Sequence, residues 1–160
     1  MKTKLDRFDV ALLNLLQADN LSTAEQLAAQ VPLSPSAITR RVRKLRRAGA
    51  IAADLALLAP GLTADRLRAI VQVQVHEHAE EKGIAALRTR LAQAREVQLL
   101  LDISGAFDLL ALVVTRNMNA FNAFADSQFA ADPAVRRYET SFVKSEVKNR
   151  PSVWLDEGDL

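Results

Sequence analysis

Six of the eight residues from Arg40 to Arg47 are Lys or Arg, and the segment Pro35 to Ala48 contains no acid at all. Guanidinium and ammonium groups packed at this density repel one another unless anions lie against them. Phosphate oxygens are the anions that such a surface fits. Mixed-sign surfaces with Glu–Lys pairs four residues apart are the usual alternative, and this stretch has none. At helical spacing Ile38, Val42 and Leu45 form one inward stripe. Ser36, Arg40, Arg43, Lys44 and Arg47 fall opposite, and Arg41 and Arg46 flank the stripe.

Other chemistry is thinly represented. His76-Glu77-His78 holds both histidines of the chain, at positions that share a face in a strand. With no cysteine and no further histidine it falls short of a zinc ligand set and reads as a solvated strand end, so no metal is expected. There is no G-x-S-x-G elbow, no phosphate-cradling glycine loop and no thiol nucleophile. Asp102 and Asp108 around a turn are weak grounds for acid–base work, so neither catalytic residues nor a cofactor are expected. Lack of cysteine also rules out disulfides and fits a reducing compartment.

The elements that must carry the cationic face follow from local signals. Asp6 caps a first helix with apolar positions Phe8, Leu12, Leu15 and Leu16, and Asp19-Asn20 ends it. Ser22 and Glu25 have capping-box spacing and predict the start of a second helix, which ends before Val31-Pro32. Ser34-Pro35 opens the third helix, a capping hydroxyl followed by proline at the first helical position, and Gly49 ends it. Two short helices about four residues apart have the spacing of a helix-turn-helix. The start of its second helix would approach base edges and the rest would grip the backbone. Ser34, Ser36, Thr39, Arg40, Arg43, Lys44 and Arg47 are therefore the DNA-contact candidates. Ser36, Thr39 and Arg40 are assigned to bases, and Arg43, Lys44 and Arg47 to phosphates.

Charge divides the chain in the same place. Residues 1–60 carry nine Lys/Arg against five Asp/Glu, a net +4, and residues 61–160 carry twelve against fourteen, a net −2. Ala59-Pro60-Gly61 signals a turn or linker. Beyond it, Ile70 to Glu77 alternates as a strand does, and Glu80 to Ala94 has helical spacing. Val97 to Ser104 and Phe107 to Thr115 predict two strands around a tight turn at Gly105. Asn117 caps a helix carrying Phe121, Phe124 and Phe129, and Val135 to Val143 predicts the last strand. The order βαββαβ is the ferredoxin-like arrangement, an antiparallel sheet with helices on one face.

Two helices cover one face of such a sheet, yet Leu99-Leu100-Leu101 and Leu109 to Val114 are apolar on both sides. A second copy of the same sheet is the simplest cover, which predicts a two-fold dimer. The longest apolar run, Leu109 to Val114, is far too short to span a membrane, and Asp6 and Asp9 break up any leader-like start. A soluble cytoplasmic protein is expected. The class is α+β: a helix-turn-helix domain (winged-helix-like) at 1–58, a linker at 59–68, a ferredoxin-like oligomerisation domain at 69–147, and a tail at 148–160.

Two stretches carry a resemblance. LDRFDVALLNLLQADNLSTAEQLAAQVPLSPSAITRRVRKLRRAGAI is similar to the DNA-binding segment of the Lrp/AsnC (leucine-responsive, feast/famine) regulators, and SGAFD resembles the TGxFD-like turn of their sensor domain. The resemblance runs from Leu5 to Val147. It implies a bacterial transcription regulator of double-stranded DNA that dimerises through its sheets, with tetramers or octamers as further states. It also implies a small-molecule effector, usually an amino acid, near Gly105, Ala106, Phe107 and Asp108 at a dimer–dimer interface. Pro32 stands where many members have Gly, and Ala106 replaces a frequently acidic or polar residue. Two alternatives remain at this level: an enzyme resembling the tetrapyrrole decarboxylases on the same scaffold, and an effector-independent nucleoid-type DNA binder. The tail from Ser152 matches no motif of the family.

Overall fold

The computed structural model describes residues 4–78, 80–156 and 158. The chain divides into two compact units, one of residues 1–57 together with 148–160, the other of residues 58–147. Among the described residues no helix is long and apolar enough to cross a membrane.

The first unit holds three helices, α1 (Arg7–Ala18), α2 (Ala24–Ala28) and α3 (Pro35–Arg47). Asp6 caps α1 by accepting the Phe8 and Asp9 amides at 2.9 Å, and Asp19 ends it. The capping box of α2 sits one residue later than the spacing of Ser22 and Glu25 suggests. Thr23 Oγ1 accepts the Gln26 amide, and Gln26 Oε1 accepts the Thr23 amide at 2.7 Å. The Ser22 hydroxyl instead donates to Asp19 Oδ2 across the turn. Leu12, Leu16, Leu27, Val31, Ile38 and Val42 form the core that holds the three helices together. Beyond α3, Gly49 adopts φ +73°, a left-handed geometry that frees the chain from the helix. Residues 52–59 form no helix or strand, so among the described residues no β-wing accompanies the three helices.

The second unit is a four-stranded antiparallel sheet in the order β2-β3-β1-β4, with β1 (Leu67–Val75), β2 (Val97–Asp102), β3 (Leu109–Thr115) and β4 (Val135–Phe142). Helices α4 (Glu81–Gln93) and α5 (Met118–Ala125) make the two crossovers. Ala69, Val71 and Val73 of β1 pair with Val113, Ala111 and Leu109 of β3, and these six point into a core closed by Leu87, Leu91, Phe121, Phe124 and Phe129. The first strand begins at Leu67 rather than Ile70. His76-Glu77-His78 lies just past its end, with Glu77 and His78 in a turn rather than on a strand face. After α5 the backbone widens into a π-turn, Asp126–Ala130. Five residues separate Phe124 from Phe129, too far round an α-helix to share a face. The wider turn brings both rings inward, 5.8 Å apart.

The connection between β2 and β3 is longer than a tight turn. The strands stop at Asp102 and resume at Leu109, leaving Ile103 to Asp108 between them. Asp108 holds the loop on both sides, its carbonyl accepting the Ile103 amide at 2.9 Å. Its amide donates to the Val73 carbonyl and its carboxylate accepts the Val75 amide at 2.8 Å, which ties the loop to the end of β1.

The sheet face away from the helices is split. Leu112 stands beside Leu99 on one side and Ile70 on the other, and Leu110 beside Leu101, which makes an apolar half. Leu99 and Leu101 are 44% and 43% exposed. Toward β4 the same face turns polar, with Gln72 beside Glu139 and Gln74 beside Arg137.

Candidate nucleic-acid interface

The cationic face of α3 is built by local chemistry and then sorted by neighbours. Ser34 Oγ accepts the Ala37 amide at 3.3 Å and lies 3.2 Å from Ser36 Oγ, so its hydroxyl serves chiefly as the cap that starts the helix. Pro35 fills the first helical position, where no amide donor is needed. Ile38, Val42 and Leu45 turn inward and are buried, which forces the opposite residues outward. Ser36, Thr39, Arg40, Arg43, Lys44 and Arg47 line one shallow concave surface together with Ala48. Six of the seven DNA-contact candidates thus lie side by side, and Ser34 stands at their edge.

The six cations of the helix do two different jobs. Arg41 Nη1 bridges α3 to α1, donating to Asp6 Oδ2 at 2.7 Å and Asp9 Oδ1 at 2.8 Å. Its guanidinium also lies 5.6 Å from the centroid of the Phe8 ring. The Asp9 side chain is only 5% exposed, so this carboxylate depends on Arg41 for its counter-charge. Burial pushes the Asp6 carboxyl up, but hydrogen bonds from the Asp9 amide, Arg41 and the Phe8 amide outweigh it. Together they hold Asp6 below its ordinary value. The same pairing, led by the Asp6 hydrogen bond, raises Arg41. Arg46 forms a two-pronged pair with Asp54, 3.2 Å on each prong, and Nη2 reaches Asn20 Oδ1. Its hydrogen bonds hold the Asp54 carboxyl below its usual value.

Arg40, Arg43, Lys44 and Arg47, by contrast, have no acidic partner within 4 Å among the described residues. Neutralising the two flanking arginines internally leaves a face of four cations with two hydroxyls at its N-terminal end. Thr39 Oγ1 donates its proton to the Pro35 carbonyl at 3.0 Å. It therefore offers an acceptor lone pair and a methyl group outward rather than a donor. The roles of Arg41 and Arg46 are absent from the sequence reading, although their position beside the apolar stripe was the available signal.

The sensor-loop candidates are gathered at one end of the sheet. Gly105 adopts φ +139°, a region that side chains disfavour, and no atom lies within 4 Å of where a Cβ would be. Phe107 lies beneath the Arg137 guanidinium, 5.1 Å from its ring centroid, and Arg137 also donates to Gln74 Oε1. Asp108 is committed to the backbone of β1, which makes it the loop's anchor. Ala106 is exposed at the tip. Nearby on the chain, His76, Glu77, His78, Pro133 and Arg136 line a shallow hollow. Among the described residues no three His, Cys, Asp or Glu side chains come together as a metal site.

Residues 5–46 match the AsnC-type helix-turn-helix domain, and residues 68–153 match the Lrp/AsnC ligand binding domain. An HTH-type transcriptional regulator of Sinorhizobium fredii is 32% identical over 91% of this chain and 85% of its own length. The leucine-responsive regulatory protein of Escherichia coli is 31% identical over 90% of this chain and 87% of its own. Among solved structures, a transcriptional regulator of Neisseria meningitidis in complex with L-Met superposes with a TM-score of 0.83. It is 28% identical, and the match covers 94% of this chain and 96% of that one.

Proposed function

Because the chain belongs to the Lrp/AsnC family of helix-turn-helix transcriptional regulators, we propose that it reads double-stranded DNA through the unpaired face of α3. Arg43, Lys44 and Arg47 meet phosphates, whose oxygens they neutralise without reading sequence. Ser36, Thr39 and Arg40, at the helix start, meet base edges. Arg40 suits the paired acceptors of guanine, and Thr39, its proton already donated, suits a base amino group or the thymine methyl. The observation that carries this reading is the sorting of charge. Arg41 and Arg46 are neutralised inside the unit, while the four outward cations have no acidic partner among the described residues.

Two copies pair through the apolar half of the sheet, around Leu99, Leu101, Leu110 and Leu112, and present two recognition helices to half-sites about one helical turn apart or a multiple of it. Tetramers or octamers would form by further contacts around the 104–108 loops. The effector is a small metabolite of the amino-acid class, held near Gly105, Ala106, Phe107 and Asp108. The L-Met in the Neisseria relative supports that class. A protein that grips chromosomal DNA works in the cytoplasm. The chain acts without catalysing a reaction: its named relatives are regulators, and the decarboxylase-like and nucleoid-type readings have no observation in their favour.

The test has two arms. Binding-site selection followed by titration of Arg40→Ala should show weaker binding and a flattened preference between specific and random duplexes. Undiminished affinity on both would refute the assignment of α3. A thermal-shift screen of amino acids should find a ligand that raises the melting temperature, since binding to the native state stabilises it by mass action. That shift should vanish in Gly105→Val, and its survival would move the effector elsewhere.

A further inference from the structure

Helix α1 has a second apolar stripe that the three-helix core does not use. Val10 and Leu13 are 9% and 7% exposed, yet neither belongs to the core built on Leu12 and Leu16. Together with Asn14 and Gln17 they follow the i, i+3, i+4, i+7 spacing of one helix face. Two side-chain amides on that face hold the C-terminal tail. Gln17 Nε2 donates to the Val153 carbonyl and Gln17 Oε1 accepts the Val153 amide, both at 2.8 Å. Asn14 Nδ2 donates to the Leu155 carbonyl at 2.9 Å and Asn14 Oδ1 accepts the Leu155 amide at 3.0 Å. An extended segment turns the N–H and C=O of alternate residues the same way. The two amides therefore receive the tail as a neighbouring strand would, at residues 153 and 155. Leu155 is partly buried, and Trp154 between the two anchor points is exposed.

The same segment is also fastened at its other end. Just beyond β4 the Val143 amide donates to the Arg68 carbonyl, and Glu146 pairs with Arg68 at 3.2 Å. One stretch of chain is thus tied to the sensor sheet at 143–146 and to α1 at 153–155. We propose that the α1 face of Val10, Leu13, Asn14 and Gln17 is a docking groove for the chain's own residues 153–155, and that the docked tail is a second mechanical connection between the sensor unit and the DNA-binding unit. The chain passes between the units twice, at 57–58 and at 147–148, and without docking the second passage leaves the helices free to reorient. A docked tail limits that freedom and gives a change in the sheet a route to α1, and so, through Arg41, to α3. The proposal depends neither on the identity of the effector nor on the DNA-contact assignments.

Backbone amide exchange measured by NMR on the full-length chain tests the docking. The Val153 and Leu155 amides should exchange at least about tenfold more slowly than the Trp154 amide between them, since local opening governs exchange of bonded amides. In Asn14→Ala/Gln17→Ala, a double change at helix positions where alanine favours helix, the three should exchange alike. Equal rates at 153, 154 and 155 in the unaltered chain would overturn the docking. Nitrogen relaxation of the same pair of proteins tests the coupling. The rotational correlation time of the α1–α3 amides should shorten relative to the sheet amides once Asn14 and Gln17 are lost. An unchanged ratio would overturn the role as a second connection even if the tail is docked.

Discussion

Replacing Arg41 and Arg43 by alanine, one at a time, should separate two jobs done by one residue type two positions apart on α3. Arg43 is exposed and has no acid partner among the described residues, so Arg43→Ala should leave stability within about 0.5 kcal/mol of the parent. Its loss should appear in binding. One phosphate contact contributes about 0.9 to the slope of log affinity against log salt, which over a fourfold salt range amounts to about threefold in affinity per protomer. Arg41 Nη1 makes two bonds, at 2.7 and 2.8 Å. The bond to half-exposed Asp6 is screened and contributes about 0.5 kcal/mol. Without the other, the buried Asp9 carboxylate keeps only the Asp6 amide at 3.3 Å, which adds about 1.5 kcal/mol. Arg41→Ala should therefore cost about 2 kcal/mol, or about 10 °C in the melting of a unit this small. The assays are helical circular dichroism against temperature, and fluorescence anisotropy with a labelled duplex from about 50 to about 200 mM salt. The reasoning fails if Arg43→Ala melts as early as Arg41→Ala, or if Arg43→Ala keeps the parent's salt slope.

Three further outcomes follow from the same structure. Thr23→Ala should destabilise the first unit by about 1 kcal/mol and Ser22→Ala by clearly less, because Thr23 holds the cap of α2; paired denaturant melts compare them. Leu101→Lys with Leu112→Lys should convert the protein to monomers in sedimentation velocity at unchanged fold, since two charges on the open sheet face cannot be buried against a partner. Acid should loosen the first unit first. The Asp6 carboxyl is held below 3.8, so its contribution is complete above that value and is lost as the pH falls through the lowered one. Melts from about pH 6 down to about pH 3 should show that loss, and Arg41→Ala should lessen its pH dependence.

Local chemistry made much of this protein legible in its sequence. Caps are contacts between residues two or three apart, so Asp6, Ser34 with Pro35, and Asn117 marked helix starts that the structure bears out. Apolar period told strands from helices, and the inward stripe of Ile38, Val42 and Leu45 followed from spacing alone. Choice among nearby candidates was harder. Ser22 and Thr23 both have capping spacing, and only the folded chain shows that Thr23 accepts the helical amide while Ser22 turns its hydroxyl toward Asp19. The π-turn was hidden for a related reason, because it arises from both Phe124 and Phe129 needing the same core.

The sequence by itself determined that an acid-free cationic helix follows a capped partner and precedes a sheet whose strands Leu99 to Leu101 and Leu109 to Val114 are apolar on both sides. Only the tertiary structure decided which cations remain available. Asp6, Asp9 and Asp54 lie far along the chain or across a turn from Arg41 and Arg46, and folding brings them within 2.7 to 3.2 Å. It likewise decided that Asp108 anchors its loop and that the tail returns to Asn14 and Gln17, 141 and 136 positions away. Caps and periodicity act over a few residues, so they can be read along a line. Ion pairs and amide clasps between distant segments depend on where the chain comes back to itself, and that is set by packing.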